Sequence, residues 1–526
     1  MLVVSIVCLL GIIPIPIANA ANWTTDANLS VSEIYTDNVR LSETGSTDDL
    51  ITELSPSIGI MGNGARIDLN FDYSLNFLNY KENGDLNDVR HRLNFDSDFE
   101  LVPDYWSAHA HSAITQQVTS TKRQGSGSIV GSSNVVDTFQ NRLSSAWNSK
   151  LGSAALFELG LSIDQVDYIA NSNSGTSSSN QLDSVGYQSR ATLTNGNSLH
   201  RAFWRANFND RRVEYENDEQ AGTEDGTVTV GYRWEIFSIS LDGGWQRYKH
   251  RTATASPQPD SEFTAANLIW HPSKKLSFTL SSTNRNYEQT LVDSSAKDQS
   301  LGSAITWNPN VRTSLSASTG NNFYGDSYNF SFFHKSRKSS LTASYGESIT
   351  NLRDSLFFRV PGFKVCPAGV VTGCRYEPLN STNISANESY TLGVFLAVSD
   401  QDYLNKQGSI GYSHQAAKNN LSISLFQSDR IFLGSNLEER DKGIRLGWTW
   451  RFGRVSSMAF TASRTQRQFQ DSTEGDFSSL NLDITGQLGR KTSWSVIVHG
   501  AENVNNSITD SYEESHIRFQ LSTSLN

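Results

Sequence analysis

From Ile67 to Phe77, apolar and polar residues alternate without a break. Ile67, Leu69, Phe71, Tyr73, Leu75 and Phe77 take one side, and Asp68, Asn70, Asp72, Ser74 and Asn76 the other. A period of two is the signature of a β-strand, whose successive side chains leave opposite faces of the pleat. The pattern recurs along the chain. Leu93, Phe95, Phe99 and Leu101 alternate with Arg92, Asn94, Asp96, Asp98 and Glu100. Near the C-terminus, Leu480, Leu482 and Ile484 alternate with Asn481 and Asp483, and Ile517, Phe519 and Leu521 with Arg518 and Gln520.

Two solutions use such strands, a soluble sandwich and a membrane barrel. Burying Asp68, Asp72, Asp96, Asp98 and Glu100 in a dry sandwich core would cost several kcal/mol each, whereas a barrel turns them toward lumen water. The apolar face is rich in aromatics at strand ends, as in Ile444 to Phe452, which contains Trp448 and Trp450. Bilayer-spanning strands carry such girdles. Composition agrees. Charged residues are 18% and hydrophobic residues 37%, both low for a soluble domain, yet aromatics reach 10%. A disordered chain is poor in aromatics, and a net charge of -11 argues against nucleic-acid binding.

Residues 2–18 are the chain's one long apolar run and end in Ala18-Asn19-Ala20, a small-x-small cleavage site, so residues 1–20 read as a secretory signal peptide. The rest, 21–526, contains no apolar run long enough for a membrane helix. Short links such as Gly62-Asn63-Gly64, Asn308-Pro-Asn310 and Gly489-Arg-Lys491 alternate with longer polar ones, including 118–136, 168–182 and 351–403. That rhythm fits an antiparallel transmembrane β-barrel of about 24 strands (about 22 to 26), with short periplasmic turns and long outer loops. No plug domain is expected ahead of it. Cys366 and Cys374 flank a short loop inside 351–403 and are candidates for a disulfide in an oxidising compartment.

The inner face supplies the candidate functional residues. Asp68, Asp72, Arg92, Asp96, Asp98, Glu100, Arg445 and Arg518 are expected to line the lumen, where charge tunes what passes. His109 and His111, two apart on one strand, join them. Two imidazoles can bind a metal ion, but no third ligand is evident from spacing, so the plainer expectation is a polar wall with no metal and no cofactor. No Ser/His/Asp spacing singles out a catalytic set, so no enzyme is expected.

The mature start, Leu29-Ser-Val-Ser-Glu-Ile-Tyr-Thr-Asp-Asn-Val-Arg-Leu41, centred on Tyr35 to Val39, resembles the opening of the PEP-CTERM system-associated outer membrane protein family. Trp448 to Phe452 and the stretch Asp402 to Lys406 are similar to later segments of that family. The resemblance implies a large porin-like barrel in a Gram-negative outer membrane, linked to exopolysaccharide and exosortase systems, with no established activity. The expected role is a passive conduit for exopolysaccharide, with membrane lipid and the export machinery as partners. The alternatives are a non-conducting docking barrel and, more remotely, a rim enzyme.

Overall fold

The computed structural model describes residues 21–118, 135–169, 183–216, 220–251, 260–287, 299–322, 324–350, 403–432, 437–506 and 511–525, together with three short strands within 351–402. The signal segment 1–20 and Cys374 lie outside the described residues, as do most of 118–136, 168–182 and 351–403.

The strands run β1 Asn22–Thr36, β2 Asp49–Asn63, β3 Ile67–Tyr80, β4 Asp88–Val102, β5 Trp106–Val118 and β6 Val135–Leu151. Next come β7 Ala155–Ile169, β8 Ser184–Asn195, β9 Ala202–Tyr215, β10 Gln220–Arg233, β11 Phe237–Arg251 and β12 Asp260–Ser273. These are followed by β13 Leu276–Tyr287, β14 Gln299–Asn310, β15 Thr313–Asn322, β16 Gly325–Lys335 and β17 Ser339–Thr350. After a separate set, β18 Gly362–Pro367, β19 Arg375–Pro378 and β20 Glu388–Leu392, the chain resumes with β21 Tyr403–Gln415, β22 Asn419–Phe432 and β23 Glu438–Trp450. It closes with β24 Ser456–Gln468, β25 Glu474–Gln487, β26 Thr492–Asn505 and β27 Tyr512–Ser524.

Twenty-four of these strands form one antiparallel sheet, and β27 pairs back onto β1 from Asn28↔Ser524 to Thr36↔His516, so the sheet closes on itself. β18, β19 and β20 form a small sheet of their own, which keeps Glu388–Leu392 out of the barrel wall.

Register fixes the shape. Stepping from each residue to its directly opposed partner once round the barrel returns to β1 about 30 residues from the start. With a rise of about 3.3 Å per residue and strands about 4.7 Å apart, that stagger gives a tilt of about 41° and a mean backbone radius of about 24 Å. Each outward residue then climbs about 5 Å along the axis. Four or five of them cover the apolar band of about 25 Å that a barrel presents to lipid.

The sequence builds that band. On β23 the outward series from the turn is Trp450, Trp448, Leu446 and Ile444, and then Lys442 and Arg440 above it. On β25 it is Ile484, Leu482 and Leu480, then Ser478 and Asp476. Large apolar side chains on this face stand exposed, such as Ile58, Leu161, Leu280 and Phe519, while on the other face several charged ones, Glu53, Arg430, Asp441 and Arg467 among them, are buried. The polar face is therefore the concave one. A closed β-barrel leaves no unpaired edge in lipid, and one with an apolar outside and a polar inside is an outer-membrane protein.

Tryptophan is distributed unevenly. Of the 11 in the chain, all but Trp245 sit at the end of the barrel that carries the short turns. Several stack there: Trp106 on Trp147, Trp234 on Phe237, Trp270 on Phe278, and Trp448 on Trp450. Two of these ten lie across glycines of the neighbouring strand. Trp23 faces Gly62 and Trp494 faces Gly486, and a Cβ on either glycine would overlap the indole. The missing side chain is the seat for the ring, which shields the bare backbone in return.

Long and short links largely alternate as the sequence leads one to expect, but two outer links are short: the four residues 216–219 between β9 and β10, and the link between β15 and β16. Asn322 pairs with Gly325, so only two residues separate β15 from β16 at the outer end. Gly325 takes φ 111°, a left-handed value that glycine tolerates, and this makes the tight outer hairpin feasible. Elsewhere the outer rim is built up. The Asp49 carboxylate accepts hydrogen bonds from the backbone N–H of Leu50, Lys81, Glu82 and Asn83, and from the Asn83 side chain, tying the start of β2 to the turn after β3. Ile34, Val39, Ile51, Leu78 and Tyr80 form a small apolar cluster beside it.

Candidate functional site: the inner wall

The parity of the register places all ten expected lumen residues on the inner face. Asp68 stands opposite Asp98, Asp72 opposite Asn94 and Ser74 opposite Arg92. Asp96 faces His111, Asp98 faces His109 and Glu100 faces Ser107. Arg445 lies between Ser424 and Ser463, and Arg518 between Ile497 and Ile34.

The first group forms an acidic strip on β3 and β4 toward the turn end. Its hydrogen-bond partners are neutral or histidine. Asn70 donates to Asp72 at 2.8 Å, His109 Nδ1 lies 3.0 Å from Asp98 and His111 Nδ1 3.1 Å from Asp96. His109 Nε2 is 3.9 Å from Asp96, so Asp96, Asp98 and His109 stand close enough to share a cation. This third neighbour is supplied across the strands, where spacing along the sequence does not show it. The strip is open to solvent, with the Asp98 side chain 70% exposed.

The outer half of the wall differs. There several carboxylates are paired with arginine and buried. Asp441 accepts from Arg430 Nη2 and from Arg467 Nε, both at 2.6 Å, and Arg430 reaches Glu439 at 3.1 Å. Arg518 Nη2 donates to Glu53 at 2.6 Å and to Ser32 at 3.1 Å, bridging β27, β1 and β2. Arg142 meets Asp164 at 3.4 Å. Of these ion-pair residues the sequence reading singled out only Arg518. Their signal was available: Arg430, Asp441 and Arg467 hold inward positions on strands whose apolar residues face out.

A third region carries almost no charge. On β14 to β17 and β21 most inner positions are small and hydroxylic, including Ser316, Ser318, Ser331, Ser344 and Ser409, with Phe333, Tyr403, Gln407 and Gln415 as larger neutral exceptions, and apart from Lys335 at the turn none is charged. Neighbouring hydroxyls satisfy each other, Ser340 with Ser413 at 2.7 Å and Ser344 with Ser409 at 2.9 Å. β16 lies twelve strands round the ring from β4, so the hydroxyl wall faces the acidic strip across the lumen.

No protein-family model and no curated protein matches this sequence. Among solved structures, the chain is similar to the FrpB iron transporter (F3-3 variant) of Neisseria meningitidis, with 10% identity over 95% of this chain and 82% of that one, at a TM-score of 0.47. It is also similar to the siderophore receptor PirA of Acinetobacter baumannii, with 8% identity over 95% and 80% and a TM-score of 0.42. A mutant of the ferric enterobactin receptor PfeA of Pseudomonas aeruginosa gives 9% identity over 96% and 81% and a TM-score of 0.41. At these values no cargo carries over, and function has to be read from the inner wall itself.

Proposed function

We propose that this barrel is a passive, non-enzymatic conduit for a hydroxyl-rich polymer, exopolysaccharide, across the outer membrane. One observation carries the reading: a wide lumen whose two opposite walls differ, one small and hydroxylic, the other acidic and solvated. Small hydroxyl side chains leave room and offer weak, exchangeable hydrogen bonds, which a sliding polymer needs, since a solute held too tightly does not leave. The buried ion pairs of the outer half brace the wide wall, and the solvated acidic strip stands apart from them near the turn end. The likeness of Leu29 to Leu41 to an exopolysaccharide-linked family supports the choice of cargo and names export machinery as the partner.

Planar-bilayer recording of the full chain tests this. The expected result is a large, cation-preferring conductance that added acidic or neutral polysaccharide reduces, and a weaker cation preference in Asp68→Asn/Asp96→Asn/Asp98→Asn. A barrel that stays silent, with and without residues 351–402, refutes the conduit and favours the docking role.

A further inference from the structure

A second constellation on the inner wall has no part in the passage just described. His499 on β26 stands directly opposite His516 on β27, and Ala501 opposite Glu514. Glu514 and His516 are two apart and share a face, so the three side chains occupy three corners of one cross-strand patch. Their donor atoms all lie within 4.8 Å of one another. All three are buried, with Glu514 at 0%, His516 at 7% and His499 at 8% exposure.

The individual contacts point the same way. His516 Nδ1 is 3.1 Å from Glu514 Oε1, and the two imidazoles stack with centroids 4.7 Å apart. Thr36, opposite His516 on β1, donates to the same Glu514 oxygen at 3.5 Å. His499 Nε2 is buried and has no hydrogen-bond partner among the described residues. A buried ring nitrogen without a partner is unfavourable, and in a folded protein it normally marks a missing water or ion.

We propose that His499, Glu514 and His516 bind a divalent transition-metal ion of the zinc class on the inner wall. Two imidazoles and one carboxylate are a known zinc donor set, with the remaining position taken by water. The geometry needs little change. An ion about 2.1 Å from each donor wants its tetrahedral ligands about 3.4 Å apart. The Glu514–His516 pair at 3.1 Å is already close to that, and the His499 donor lies within 4.8 Å of both. Bound metal would staple β26 to β27, next to the β27–β1 pairing that closes the barrel.

The test is Zn²⁺ titration calorimetry, with Co²⁺ absorption, on the tag-free, detergent-folded full chain. We expect one site per barrel and the intense visible bands of tetrahedral Co²⁺. Affinity should fall at least tenfold in His499→Ala and in His516→Ala, and also in Glu514→Gln, which keeps size and hydrogen bonding should the alanine variants fail to fold. His109→Ala separates this site from the Asp96–Asp98–His109 cluster and should leave the binding unchanged. Absence of Zn²⁺ binding, binding indifferent to Glu514→Gln, or binding lost in His109→Ala would overturn the proposal.

Discussion

The ion cluster on β22 to β24 turns a question about the wall, whether it is dry or wet, into a measurable energy. Asp441 is at 0% exposure and accepts two charge-assisted hydrogen bonds of 2.6 Å, from Arg430 and Arg467. With Glu439 the cluster holds two cations and two anions. Replacing Asp441 by Asn removes one anion and turns an NH₂ toward guanidinium donors. Two buried arginines then lose the carboxylate they share. Breaking a buried pair in this way costs about 3–5 kcal/mol, whereas an exposed pair is worth about 0–1 kcal/mol. Urea unfolding from lipid vesicles, followed by tryptophan fluorescence, should therefore show Asp441→Asn destabilised by about 3 kcal/mol or more. Asp98→Asn, on the solvated strip, should fall within about 1 kcal/mol of wild type. The double variant Asp441→Asn/Arg467→Gln restores charge balance and should regain part of the loss. Equal effects of Asp441→Asn and Asp98→Asn would refute the reasoning and mean that water reaches the cluster.

Two further outcomes are expected. Gly486→Ala places a Cβ inside the Trp494 ring, so the indole must leave its seat; about 1–3 kcal/mol of stability should be lost, with a shift in tryptophan emission, and an unchanged spectrum counts against the seat. At the outer rim, Arg40 Nη2 lies 2.7 Å from Asp85, and this hydrogen bond holds the Asp85 carboxyl below its ordinary 3.8. A lowered carboxyl pKa means that the contact persists above the ordinary value and is lost as pH falls through the lowered one. NMR titration of Asp85 in micelles should show a midpoint that rises toward 3.8 in Arg40→Gln, and an unmoved midpoint would deny the contact.

Much of the architecture was legible in the chain. Alternation assigns each side chain to a face, which is why Asp68, Asp96, His109 and Arg518 stand on the inner wall by parity alone. Alternation does not say which residue of one strand opposes which residue of the next. That register depends on turn geometry, and its increments add up around the ring to the full stagger. Parity shows which residues face inward but not which of them meet, so the pairings that need two strands at once were hidden. The Arg430–Asp441–Arg467 cluster, the Trp494–Gly486 seat and the His499–His516 pair are separated by few residues in space but by a turn or a loop in sequence. The two-residue link between Asn322 and Gly325 was concealed for another reason: sequence reading expects an outer loop to be long, and here it is not.

The lopsided placement of tryptophan has a mechanical consequence. Indoles favour the headgroup level, so rings gathered at one end moor the barrel to one leaflet surface. In a thicker or thinner bilayer the turns should hold their depth, and the mismatch should be absorbed at the opposite end. There Arg440, Lys442, Arg464 and Asp476 would rise out of, or sink into, the charged sugar and phosphate layer.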